Sequence, residues 1–145
     1  MTTAASAIQR RLAAAGALLF AIGIVTGLWS AAALTGKVVV PIPHLALAAH
    51  LNGILGGLWL LAVAFTFPFL RYGERGLGRL AVVAALPAWA NWLITTLASL
   101  LGVRGIELTG VRQNDLVAVL LDLFVVMPTL VAVVAWAWGF RRAKP

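Results

Sequence analysis

The chain has 145 residues, 63% of them hydrophobic and 10% charged, with a formal net charge of +7 and no cysteine. An average soluble chain is about 45–50% apolar and about 25% charged, so a soluble globular domain is excluded and a single membrane domain over residues 1–145 is expected. The missing cysteine excludes disulfides, thiolate ligands, iron–sulfur clusters and cysteine nucleophiles. The basic residues flank apolar runs, so the charge points to a lipid bilayer and not to nucleic acid.

The first apolar run, residues 12–34, follows Arg10 and Arg11. It has the look of a secretory signal, but it is too long and "LWSAAALTGK" matches a cleavage site only loosely, so a retained helix is expected. The loop "TGKVVVPIP" leads to a second run, residues 44–70. "RYGERG" leads to a third, residues 77–102, and "VRGIELTGVRQND" to a fourth, residues 116–140. A span needs about 20 apolar residues, which each run supplies. Only helices or closed barrels satisfy the backbone in lipid, and the period-2 alternation of barrel strands is absent. The short connections predict an all-α, integral membrane four-helix bundle running up-down-up-down. Pro68, Pro87 and Pro128 lie inside or near the ends of helices two to four, where each removes a donor and favours a kink or a stop.

Eight basic residues fall on one side of this arrangement: Arg10, Arg11, Arg71, Arg75, Arg79, Arg141, Arg142 and Lys144. Three fall on the other: Lys37, Arg104 and Arg112. Both termini are therefore expected in the cytoplasm, with the protein in the inner or plasma membrane.

At a rise of about 1.5 Å per residue, His50 lies about 9 Å below the outer surface, Thr95 about 10 Å, Asp122 about 9 Å and Asn91 about 16 Å. Four polar groups from three helices thus share one layer, and intramembrane ionisable residues are by default candidates for function. Blander roles are open to each of them. His50 and Asn91 could be interhelical hydrogen-bond residues. Thr95 and Thr96 could bond back to the i−4 carbonyl. Asp122 could be neutral or pair with an outer-loop arginine. Asn52 turns about 200° from His50 and should meet a neighbouring helix or subunit. Trp29, Trp136 and Trp138 read as interfacial belt, and Trp89 and Trp92 as packing or as aromatic pocket walls beside Asn91.

A lone imidazole is a poor zinc site, which needs three or four ligands. A haem needs only one axial ligand from the protein, and helical bundles are common hosts. Gly53 and Gly57 share the face of His50 at i+3 and i+7, where either a flat macrocycle or another helix could approach. His44, turned about 240° from His50, cannot bind the same iron from that face and is placed in the outer interface.

Three segments, "QRRLAAAGALLFAIGIVTGL", "AHLNGILGG" and "WANWLITTLASLLG", resemble the small four-helix membrane isomerases: hydroxylaminobenzene mutase and, more distantly, styrene oxide isomerase. The resemblance covers helices one to three; helix four matches only in character. It implies a trimer in the membrane with haem b held by His50 as the metal ligand. Ferric haem would act as a Lewis acid on the substrate oxygen, with no net redox change. A hydroxylaminoarene would become an aminophenol, or an aryl epoxide an aldehyde, as part of aromatic compound metabolism. Asn91 carries over as a site residue; Thr95 and Asn52 are further candidate catalytic groups, and Gly53 and Gly57 the candidate cofactor-binding residues beside His50.

The chain also departs from that family. Gly56 stands where an asparagine is usual, Thr95 where the styrene oxide branch has a tyrosine, and Ala15 where a histidine is usual. Losing the phenol and the amide weakens the case for an epoxide substrate. The expected function is therefore a haem-dependent, homo-oligomeric mutase for a small aromatic hydroxylamine, with the epoxide isomerase second. A haem or quinone electron-transfer subunit and a non-catalytic membrane assembly protein are the rivals from other classes.

Overall fold

A computed structural model describes residues 3–141. Among them there are helices and no strands: α1 (Thr3–Leu34), α2 (Pro43–Thr66), α3 (Glu74–Leu101) and α4 (Arg112–Gly139). All four are long and apolar enough to cross a membrane. α1 starts well before the apolar run because "TAASAIQRRLAAAG" is rich in helix formers. Pro43 opens α2 at its first helical position, where its missing N–H is not needed. A 3₁₀ turn, Phe67–Phe69, closes α2 around Pro68, the stop expected of that residue. Gly102 ends α3 in the left-handed conformation with its N–H on the Ala98 carbonyl. Arg142 and Lys144, counted above among the basic residues, lie outside the described residues.

α1 and α2 pack antiparallel along a seam of glycines. A Cβ on Gly23 would sit 2.6 Å from the Ile54 nitrogen, and one on Gly57 would sit 2.6 Å from the Phe20 nitrogen and 2.7 Å from the Gly16 carbonyl oxygen. Only glycine permits so close a backbone approach. α3 closes on both helices around a core of Leu19, Leu60, Val63, Phe67, Leu80 and Ala84. α4 leans on α3 and is the least enclosed span: 17% of its most apolar stretch is buried, against 28–33% in the other three. Its inner contacts run through Val117, Leu120, Leu121 and Val125 against Ile94 and Ala98. Near the basic end, Trp136 meets Trp59 edge to face at 5.2 Å and donates from Nε1 to Thr66 Oγ1 at 2.9 Å.

α4 is not a uniform helix. Asp122–Val126 form a π-helical turn in which the Met127 N–H reaches the Asp122 carbonyl, five residues back. Pro128 follows directly. It has no N–H to offer the carbonyl four residues before it, and its ring would clash there; the wider π turn relieves that crowding.

Candidate functional site

Polar side chains in a hydrocarbon layer must find partners, and those of α2 do so on opposite sides of the helix. On the α1 side, His50 Nδ1–H donates to the Gly23 carbonyl oxygen at 2.7 Å. The imidazole lies over Gly27, where an added Cβ would meet ring atoms at 2.7 and 2.8 Å. A carbonyl only accepts, so the bond puts a proton on Nδ1 and leaves Nε2 as the ring's open nitrogen. Nε2 has no partner among the described residues. Among the described residues no buried side-chain nitrogen or oxygen is left unpaired, so Nε2 reaches the molecular surface of this half-buried residue.

On the α3 side, Asn52 Nδ2 donates to Asn91 Oδ1 at 3.1 Å and to Thr95 Oγ1 at 3.0 Å. The Thr95 hydroxyl donates to Asn91 Oδ1 at 3.3 Å. Two donors thus converge on the Asn91 carbonyl oxygen, which turns the Asn91 amide nitrogen outward as an unused donor. Next to it, Trp92 stacks edge to face on Trp89 and donates from Nε1 to Thr26 Oγ1 at 3.1 Å. Trp92 thereby joins α3 to α1. Thr96 bonds back to the Trp92 carbonyl at 2.7 Å, the bland role open to it.

The structure therefore brings Asn52, Asn91 and Thr95 together and sets His50 on the other side of α2. Asn52 meets a neighbouring helix, α3. Gly53 and Gly57 are both spent on α1: Gly53 lies 2.6 Å from the Gly23 Cα by its would-be Cβ, and Gly57 against Gly16 and Phe20. No room remains there for a flat macrocycle, so the view of these two glycines as a cofactor face is corrected to helix packing. Gly56 packs on Leu19 and Ala88; Asn52, one turn before it, carries the amide on that face instead. Asp122 is exposed on α4, its carboxylate without a hydrogen bond or ion pair to a described residue, and does not join the α2–α3 cluster.

Two residues of the neighbourhood escaped the sequence reading: Gly23, which supplies the carbonyl for His50, and Gly27, which makes space for its ring. A helical glycine one turn from another is a visible signal, but nothing in the sequence names its partner across 27 residues.

Comparison with known proteins gives the family. The styrene oxide isomerase family model matches residues 8–141. The chain belongs to the styrene oxide isomerase family. It is 31% identical over 148 aligned residues to hydroxylaminobenzene mutase HabB of Ectopseudomonas oleovorans, with 94% of this chain and 83% of that protein covered. No solved structure matches the chain. Family and relative together make this member a membrane isomerase.

Proposed function

We propose that the protein is a haem-dependent mutase that rearranges a small aromatic hydroxylamine to an aminophenol. One observation carries the cofactor: an intramembrane imidazole whose Nδ1–H is held by a backbone carbonyl while Nε2 stays accessible. That hydrogen bond is the usual second support of a metal-binding histidine; it fixes the tautomer and the ring direction. His50 would hold haem b through Nε2 on the outer surface of the α1–α2 pair, since the glycine seam leaves no space inside. When bound, ferric haem would supply Lewis-acid polarisation of the substrate oxygen.

The protein's own groups hold the substrate. The outward Asn91 amide is placed to hydrogen-bond an oxygen that leaves nitrogen and joins the ring. Asn52 and Thr95 keep that amide oriented. The rearrangement breaks an N–O bond and a ring C–H bond, makes a C–O bond and returns the proton to nitrogen as N–H, so it needs no external oxidant or reductant. Thr95 in place of a phenol, together with the relative's activity, favours the hydroxylamine. The name of the matching family favours the second reading, an aryl epoxide going to an aldehyde.

His50 and Asn91 face away from each other across α2, so one chain does not bring them into one pocket. A homo-oligomer, a trimer by the resemblance, sets the face of one copy against the next. Asp122 supports the same assembly: a carboxyl within the membrane on a lipid-facing helix costs up to about 2.5–3.5 kcal/mol, which a neighbouring chain would offset. The excess of basic residues at the end of the bundle that holds both termini supports a cytoplasmic location for them.

The test is a spectrum and an assay on the purified protein. A Soret band in the wild type and in His44→Ala, but not in His50→Ala, is expected, with phenylhydroxylamine turned into 2-aminophenol without added redox agents. Full activity in haem-free protein would discard the proposal. Turnover of styrene oxide alone would move the protein to the second reading.

A further inference from the structure

α1 and α3 run parallel from the basic end of the bundle, and their seam is not closed. A cavity of about 320 Å³ lies between them, with Arg11 and Ala15 on one wall and Gly78, Val82 and Ala85 on the other. A second cavity of about 470 Å³ adjoins it around Arg75 and Arg79, sharing Gly78 and Val82. Residues 75, 78, 79 and 82 fall on one face of α3 by their spacing of three and four. Gly78 forms the floor: a Cβ there would meet only the Ile8 Cδ1, at 3.8 Å.

The chemistry of this groove is two-part. At its mouth stand three exposed arginines, Arg11, Arg75 and Arg79, none with an ion pair to a described carboxylate. The one acid at this end, Glu74, engages none of them. Below the mouth the walls are apolar. The positive-inside tendency alone explains arginines at this end. It does not explain three of them lining two adjoining apolar cavities. From Arg11 to Ala21 is about 15 Å along α1, the depth of one leaflet, and a further apolar cavity continues the same seam at Ala21, Ile22 and Trp92.

We propose that this seam seats an anionic phospholipid. Its phosphate sits among Arg11, Arg75 and Arg79, and an acyl chain lies over Gly78 and Val82. The guanidinium groups match phosphate oxygens in charge and geometry, and the open floor at Gly78 admits the chain.

Thermal unfolding of the full-length protein in detergent, with added lipid, tests this. Dioleoylphosphatidylglycerol should raise Tm; dioleoylphosphatidylcholine and inorganic phosphate should not. Arg11→Gln/Arg75→Gln/Arg79→Gln should weaken the lipid's apparent affinity by about fivefold for each arginine. Lys37→Gln/Arg104→Gln/Arg112→Gln, with the same loss of charge at the other end, should leave it unchanged. Gly78→Leu keeps every charge but fills the floor, and should also lose the lipid's effect. Equal stabilisation by phosphatidylcholine, or by phosphate alone, overturns the proposal. So does an equal loss in both triple variants, or an unaltered response in Gly78→Leu.

Discussion

Two donors point at one oxygen of Asn91: the Asn52 amide and the Thr95 hydroxyl. If that cluster served only to join α2 to α3, truncating either asparagine would cost about the same, roughly 0.6–2 kcal/mol of stability. If the outward Asn91 amide holds the substrate oxygen, the two diverge. Asn91→Ala should lose about 10²–10³ in kcat while keeping the Soret band, and Asn52→Ala about tenfold or less, since it only loosens the support. Equal losses in steady-state assays of both would return the cluster to packing. The residue types and the depth of this cluster were legible, because His50, Asn52, Asn91 and Thr95 interrupt otherwise apolar runs. Their partners were less so. Asn52 could be assigned to a helix or to a subunit, and the structure supplies α3. The acceptor for His50 is a backbone carbonyl, which leaves no mark in sequence.

Between elements, the α1–α2 seam is where a single methyl group should do the most. Gly23 has the Ile54 nitrogen 2.6 Å from the position a Cβ would take, so Gly23→Ala must push the helices apart. It also moves the carbonyl that holds His50. We expect destabilisation of about 1–3 kcal/mol, the range for overpacking, together with weakened haem retention. Gly73→Ala, with nothing within 4 Å of its would-be Cβ, should change neither. A thermal melt and a Soret titration of the two variants check this; parity between them would show that the seam relaxes freely. Four helices could be counted from hydropathy, but their ends could not. α4 begins at Arg112, ahead of its apolar run, because side chains from its first turn hold the preceding loop. Asn114 Oδ1 accepts the Gly105 N–H at 2.9 Å and its Nδ2 donates to the Glu107 carbonyl at 2.7 Å. Asp115 accepts the N–H groups of Thr109 and Gly110. Such loop clamps are polar and fall outside any apolar pattern. Pro128 announced an irregularity in α4, while the π turn that absorbs it depends on backbone geometry.

At the scale of the molecule, the unresolved relation is between two faces of α2. His50 addresses α1 and the surface beyond it, whereas Asn91 and its supporters lie on the α3 side. An isomerase needs the group that binds the cofactor and the group that holds the substrate oxygen at one place. One chain separates the two groups proposed for these roles, and the exposed α4 with its lone Asp122 carboxylate fits the proposed oligomer. In a closed ring of identical copies the interface is repeated, so a face of each copy meets a different face of its neighbour. Sites built in this way have a signature that no within-chain site has. His50→Ala and Asn91→Ala should each be nearly inactive alone. Co-expressed in one membrane at equal levels, they should recover activity, because some interfaces pair an intact His50 from one copy with an intact Asn91 from the next. Random mixing makes roughly a quarter of the interfaces fully intact, so about a quarter of the wild-type rate is expected. Separately purified variants mixed in detergent without subunit exchange should show none. No recovery on co-expression, with mixed oligomers verified by two affinity tags, would place both groups in the service of a site within each chain, and α2 would then have to turn to bring them together.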